Sequence, residues 1–180
     1  FEGSFGDDEI HGGIVGQDDD PSQDHWNEIN YYQKDISGIE VTFGSMARAG
    51  TVLKLGGGGT DIFTSIDVVR GTAGADKFTG GTGAGVQRFI GYEGNDTFDG
   101  SDGINEVDYR AEGRVAQSTS GVNVDLGTGI ATYRGFTDTL TAIERIRGTE
   151  NADTISGNGL HNRLRGDAGN DTLMGRNGND

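Results

Sequence analysis

Asp153 and Asp171 stand 18 residues apart, Asn162 and Asp180 also stand 18 apart, and Asp76 and Asp96 stand 20 apart. Each closes a short glycine-containing segment. If the chain returns to the same place at that interval, these side chains stack beside the carbonyl oxygens of their turns. Paired carboxylates at such range repel each other. A hard cation with six to eight oxygen ligands removes the repulsion. Ca²⁺ accepts an irregular mixture of carbonyls and carboxylates, whereas Mg²⁺ demands stricter octahedral geometry and keeps its water. The expected chemistry is therefore oxygen-only binding of several Ca²⁺ ions. The chain has no cysteine, which excludes disulfide scaffolds, thiolate zinc sites and cysteine nucleophiles.

The elements that must position these oxygens follow from a nine-residue period. Gly91-Tyr92-Glu93-Gly94-Asn95-Asp96-Thr97-Phe98-Asp99 runs directly into a second copy, Gly100 to Asp108. Gly148 to Ser156, Gly157 to Arg165 and Gly166 to Met174 are consecutive, and Gly175 to Asp180 begins another. Gly3 to His11 and Gly71 to Thr79 stand apart. The pattern is Gly first, usually Gly fourth, Asp or Asn sixth and an apolar residue eighth. Composition alone supplies about 0.2 strict matches in a chain this rich in glycine; four are present, starting at Gly3, Gly71, Gly91 and Gly166. The glycines permit a tight turn, and a short strand follows the acid with its central residue pointing inward. Those residues are Ile10, Phe78, Phe98, Val107, Ile155, Leu164 and Leu173. One apolar residue in nine builds a core only when coils stack. The expected fold is all-β, a parallel β-roll or β-solenoid with very little helix. Two nonapeptides make one coil, so that a turn pairs with the next but one.

These nonapeptides resemble the repeats of RTX (hemolysin-type) calcium-binding proteins, which fold as parallel β-rolls. The resemblance is specific over Gly71–Asp108 and Gly148–Asp180. It implies calcium ligands, by carbonyl or side chain, at Asp8; at Gly71, Ala73 and Asp76; at Gly91, Glu93, Gly94 and Asp96; and at Asn105. In the last block it implies Gly148, Glu150 and Asp153; Asn162; Gly166, Ala168, Gly169 and Asp171; and Gly175, Asn177 and Asp180. The second position departs from the usual Gly throughout: it is Ser4, Thr72, Tyr92, Ser101, Thr149, Asn158, Asp167 or Arg176. Asn105 and Asn162 replace the acid, and Asn151 and Leu160 replace the fourth Gly, which predicts weaker sites there. Gly80–Ile90 runs eleven residues where nine are expected and has Gly85-Val86-Gln87 in place of the acid.

A longer repeat of about 77 residues links the blocks. Ser37–Phe43 matches Ser120–Leu126, Thr60–Thr72 matches Thr137–Thr149, and Asn27–Tyr31 matches Asn105–Tyr109. The chain thus divides into the end of one unit (1–30), a full unit (31–108) and another (109–180). Asp180 is the sixth residue of an unfinished nonapeptide, so continuation beyond it is expected. Ile39/Val41/Phe43 and Val122/Val124/Leu126 alternate with polar residues, as strands do. Leu140, Ile143 and Ile146 recur every three, but their β-branched neighbours favour strand over a short helix.

Composition narrows the function. Twenty-nine acids against 14 bases give a net charge of −15, which argues against nucleic acid as a partner. No run of 18 apolar residues exists to span a membrane. Gly56-Gly57-Gly58-Gly59 lacks the Lys of a phosphate loop, and no nucleophile elbow is present. The run Asp18 to Trp26 reads as a solvated acidic loop. The segment is therefore expected to be a non-catalytic calcium-binding module. The resemblance implies a secreted bacterial protein exported by type I secretion or held at the cell surface. Two alternatives stay open: an adhesin or glycan-binding segment presenting Trp26, Tyr31, Tyr32 or Tyr133 to an extracellular polysaccharide or cell surface, and an accessory module of a calcium-dependent protease, lipase or polysaccharide-modifying enzyme.

Overall fold

A computed structural model describes residues 1–2, 5–12, 26–32, 36–46, 48–82, 85–110 and 119–180. Gly3 and Ser4 of the first nonapeptide, the acidic run from Asp18 to His25, and residues 83–84 of the long nonapeptide lie outside the described residues. In chain order the strands are β1 (Glu9–His11), β2 (Glu28–Asn30), β3 (Ile39–Phe43), β4 (Gly50–Lys54), β5 (Gly59–Thr64) and β6 (Val68–Arg70). They continue with β7 (Lys77–Thr79), β8 (Val86–Ile90), β9 (Thr97–Asp99), β10 (Ile104–Asp108), β11 (Asn123–Asp125) and β12 (Ile130–Tyr133). The last are β13 (Phe136–Thr141), β14 (Arg145–Arg147), β15 (Thr154–Ser156), β16 (Arg163–Arg165) and β17 (Thr172–Met174).

The nonapeptide strands alternate between two sheets. The smaller has six strands in the order β16-β14-β10-β8-β6-β2, all parallel. The larger has eleven, in the order β1-β5-β4-β3-β7-β9-β13-β12-β11-β15-β17. Register follows the sequence period: Thr154 lies beside Thr172 and Arg145 beside Arg163, each 18 residues on. Despite the two extra residues between Gly80 and Ile90, Lys77 still pairs with Thr97.

The spacers are strands, as their alternation requires, but not further parallel coils. Each forms an antiparallel three-stranded meander within the larger sheet, β3-β4-β5 and β11-β12-β13. The last strand of each meander joins the preceding coil (β5 on β1, β13 on β9), and the first joins the following one (β3 on β7, β11 on β15). Gly56, Gly57 and Gly58 of the glycine run lie in the β4–β5 turn, and Gly59 opens β5. Arg134 and Gly135, with φ of 48° and 90°, form the two-residue β12–β13 turn, whose positive dihedrals match strand twist.

Between the sheets lies one row of apolar side chains. Phe78 stacks on Phe98 with centroids 5.0 Å apart, Phe89 stands 5.5 Å from Phe78, and Phe43 meets Phe63 edge-on at 4.9 Å. Of the residues expected to point inward, Ile10, Phe78, Phe98, Val107 and Ile155 are buried and Leu164 packs against them partly covered. Leu173 is in register with Ile155 but 46% exposed, because β17 is an edge strand.

Candidate metal centre

Stacking creates two columns of polar side chains, one on each side of the roll, two residues before each inward apolar residue: just before most strands, and inside β5, β8, β10 and β13. Strand register places Asp8 beside Asp61, then Asp76 beside Asp96 beside Asp138, then Asp153 beside Asp171, on the side entering the larger sheet. On the other side it places Asn27, Asp67, Gln87, Asn105, Glu144, Asn162 and the position of Asp180 in line. The first column is all carboxylate; the second mixes carboxylates with amides.

The predicted pairing of a turn with the next but one is present at each complete pair. The Asp76 N–H donates to Asp96 Oδ1 at 2.8 Å, Asp153 N–H to Asp171 Oδ1 at 3.0 Å, and Asn162 N–H to Asp180 Oδ1 at 2.8 Å. The column also includes residues that the nonapeptide pattern leaves out: Asp8 N–H donates to Asp61 Oδ1 at 3.0 Å and Asp96 N–H to Asp138 Oδ1 at 2.9 Å. Asn105 N–H donates to Glu144 Oε2 at 2.8 Å. Asp61, Asp67, Asp138 and Glu144 lie in the spacers. Each keeps the second half of the repeat, an acid followed two residues later by Phe63, Val69, Leu140 or Ile146, without the glycine turn before it. That half-pattern is the signal by which they could have been found.

The turns supply backbone oxygens beside these acids. In the turns at Gly71 and Gly148 a Cβ would strike the carboxylate of Asp76 or Asp153, and would stand 2.9 Å from Gly91 O or 3.1 Å from Gly166 O. Gly94 and Gly169, with φ of 127° and 125°, pack their α-carbons against the carbonyls of Gly74 and Asn151 in the turn below. No L side chain fits that combination of dihedral and contact. First- and fourth-position carbonyls thus converge with sixth-position acids from two successive same-side turns. Among the described residues, no three His, Asp or Glu side chains converge on a point, so carbonyls would complete the ligand set. The donor set is all oxygen, which fits Ca²⁺. Ala73, Glu93, Glu150, Ala168, Gly175 and Asn177 belong to these same turns.

Thr72 and Thr149, at the second position, tie their turns together: the Thr N–H and hydroxyl both donate to Asp76 (2.6 and 2.9 Å) or Asp153 (2.7 and 2.8 Å). The same carboxylates accept the N–H of Ile39 or Val122, which anchors the meanders. Tyr92, Ser101, Asp167 and Arg176 instead adopt positive φ at this position, which shows why Gly is usual there.

Burial gives these acids an electrostatic cost. Asp76 is pushed up to about 6 by burial, against the N–H groups of Thr72 and Ile39 and the Thr72 hydroxyl. Asp138 is pushed up to about 7 by burial, against the Asp96 N–H and the Tyr109 hydroxyl. Burial also raises Asp153 and Asp67.

Two aromatic residues expected as candidates for surface presentation are not on the surface. Tyr31 and Tyr133 are 0% and 4% exposed, because their hydroxyls reach inward to Asp61 and to the Tyr92 carbonyl. Tyr32 is exposed and Trp26 is partly covered, its ring 4.3 Å from the Arg88 guanidinium. Gln87 fills the acid's place in the long nonapeptide and accepts the Gly81 N–H at 3.0 Å.

A stack of coils whose turns converge paired carboxylates with backbone carbonyls defines an oxygen-ligand, cation-binding β-roll. The signature of the RTX calcium-binding nonapeptide repeat matches in four copies, at residues 63–84, 88–107, 138–159 and 147–180. Over residues 63–180 the chain belongs to the RTX calcium-binding repeat family. No curated protein matches the chain. No helix among the described residues is long and apolar enough to cross a membrane.

Proposed function

We propose that this segment is a calcium-dependent folding module of a secreted bacterial protein, itself without catalysis, built from the end of one unit (1–30) and two further units (31–108 and 109–180). The observation that carries this reading is the carboxylate column, in which Asp76, Asp96 and Asp138 are each 3% exposed or less and adjacent in register. Such a column is unfavourable without counter-charge. In a low-calcium cytosol the chain, at −15, repels itself and stays competent for type I export. Outside, with a Kd of ~10⁻⁴ M per site and Ca²⁺ at ~10⁻² M, each site adds about 2.7 kcal/mol to the folded state. A few sites together rival the whole stability of an ordinary domain.

Calcium titration by calorimetry tests the assignment of sites. Asp171→Ala removes a charge from the pair with Asp153 and is expected to weaken calcium binding roughly tenfold or more. Asn162→Ala removes a neutral oxygen opposite Asp180 and is expected to cost less. Equal losses, or a larger loss for Asn162→Ala, would mean that turn register does not define the sites.

A second reading, attachment to an acidic extracellular polysaccharide, is favoured by the outer face of the smaller sheet. Arg70, Arg88, Arg145, Arg147, Arg163 and Arg165 line it against the carboxylates of Glu28, Glu106, Asp108 and Asp167, the last paired with Arg147 and Arg165. Arg145 stacks on Arg163 and Arg147 on Arg165 in register, and the cleft they line with Trp26 is open to solvent. Retention on an immobilised polyuronate in calcium, lost in the double variant Arg145→Gln/Arg163→Gln, is the expected result. Equal retention of the variant would remove this reading.

A further inference from the structure

The placement of Lys54 follows from no nonapeptide rule. It lies on β4, yet its side chain points into the roll and is fully buried. Its ammonium lies against the carboxylate of Asp61, donates to the carbonyl of Gly6 at 2.5 Å and stands 3.8 Å from Asp8 Oδ2. Gly6 and Asp8 are the fourth and sixth residues of the first nonapeptide, and Asp61 is the register neighbour of Asp8. The ammonium therefore touches a turn carbonyl and both carboxylates of one same-side pair, the set of oxygens on which the other turns would hold a metal.

The second unit supplies the comparison. Asp138 stands to Asp96 as Asp61 stands to Asp8, and the Tyr109 hydroxyl donates to Asp138 as the Tyr31 hydroxyl donates to Asp61. Counted along the hairpin, Val52 faces Asp61 and Lys54 lies two residues beyond; Ala131 faces Asp138 and Tyr133 lies two beyond. Tyr133 is thus the counterpart of Lys54. Its phenol donates to the Tyr92 carbonyl and brings no charge. Two structurally matched carboxylate pairs differ by one buried positive charge.

We propose that Lys54 is a tethered cation that permanently fills the place of calcium at the Asp8/Asp61 pair, so that this end of the roll closes without metal while the Asp96/Asp138 pair requires it. This rests on the calcium reading above. A divalent ion entering beside a buried ammonium would meet strong repulsion at short range, and the ammonium donates to Gly6 and Asp61 while staying within ion-pair range of Asp8. The built-in charge lets the β1–β5 pairing form without calcium.

Calorimetric stoichiometry with Ca²⁺ tests it in the whole chain. Asp8 is 39% exposed at its side chain, so Asp8→Asn is expected to fold. It should bind as many ions as the wild type, with unchanged affinity, whereas Asp171→Asn loses one. Lys54→Ala should bind one ion more than the wild type, and its melting temperature should rise more steeply with calcium. Loss of an ion in Asp8→Asn would overturn the proposal by itself. So would an unchanged ion count in folded Lys54→Ala. A wild type that binds no calcium at all would instead overturn the calcium reading, and this inference with it.

Discussion

At neutral pH a chelator is expected to abolish most of the β-structure of this chain, millimolar Ca²⁺ to restore it, and in chelator mild acid to restore part of it too. The first half follows from the carboxylate column. Without counter-charge, Asp76, Asp96 and Asp138 are buried side by side, and the cohesion of a thin core must overcome their repulsion. The second half follows from the sign of the shifts. Asp76 is pushed up to about 6 and Asp138 to about 7, from an ordinary 3.8. The folded state therefore holds these protons more tightly than the unfolded chain. Calcium-free stability from these groups is greatest below about pH 4 and is lost as pH rises through 6 and 7. Far-ultraviolet circular dichroism in chelator should show more β-structure at pH 5 than at pH 7.5. A spectrum unaffected by chelator at pH 7.5, or a loss of β-structure on going to pH 5, would contradict the folding switch.

Much of this arrangement was legible because the repeat is short and its chemistry is local. Glycine at the first position, the acid at the sixth and the apolar residue at the eighth report three separate physical demands: close packing at the turn, a ligand, and a core. The pairing of Asp153 with Asp171, and of Asp76 with Asp96 across a two-residue insertion, follows from that period alone. The meanders were legible as strands but not in their pairing, since alternation of Val122 and Val124 with polar residues is the same for parallel and antiparallel neighbours. The Arg134-Gly135 turn was the available cue. Asp61 and Asp138 were missed because they reach the column from strand interiors, with no glycine turn to mark them. Lys54 was missed because only the hairpin register shows that it faces inward.

The two columns divide the roll chemically. Asn27, Gln87, Asn105 and Asn162 are interspersed with Asp67 and Glu144 on the side of the smaller sheet, and amides can bond to their turns without a cation: Asn105 Nδ2 donates to the Gly100 carbonyl at 2.9 Å. That side also places Asp67 2.8 Å from the Arg48 guanidinium. The side entering the larger sheet has carboxylates at every pair and, in Lys54, a single buried ammonium at one end. Calcium dependence is therefore expected on the side entering the larger sheet, at the run from Asp76 to Asp138 and at the Asp153/Asp171 pair.

Asp96 is the centre of that run, and Asp96→Asn is expected to be the most damaging single change to calcium binding. Its carboxylate accepts the Asp76 N–H at 2.8 Å, and its own N–H donates to Asp138 at 2.9 Å, so it borders two gaps where Asp171 borders one. Asparagine keeps an oxygen for the Asp76 N–H and nearly the same volume, so the variant isolates charge from packing. Calorimetry should show two ions fewer than the wild type, against one fewer for Asp171→Asn, and the calcium midpoint of folding should rise by roughly an order of magnitude. Asp96→Ala should be worse in stability by a further ~1–3 kcal/mol, because it leaves the buried Asp76 N–H without an acceptor. If Asp96→Asn loses one ion only, the Asp96/Asp138 gap is not a site, and Asp138 serves the meander hairpin rather than the metal. Loss of none would show that the column is held by its hydrogen bonds alone.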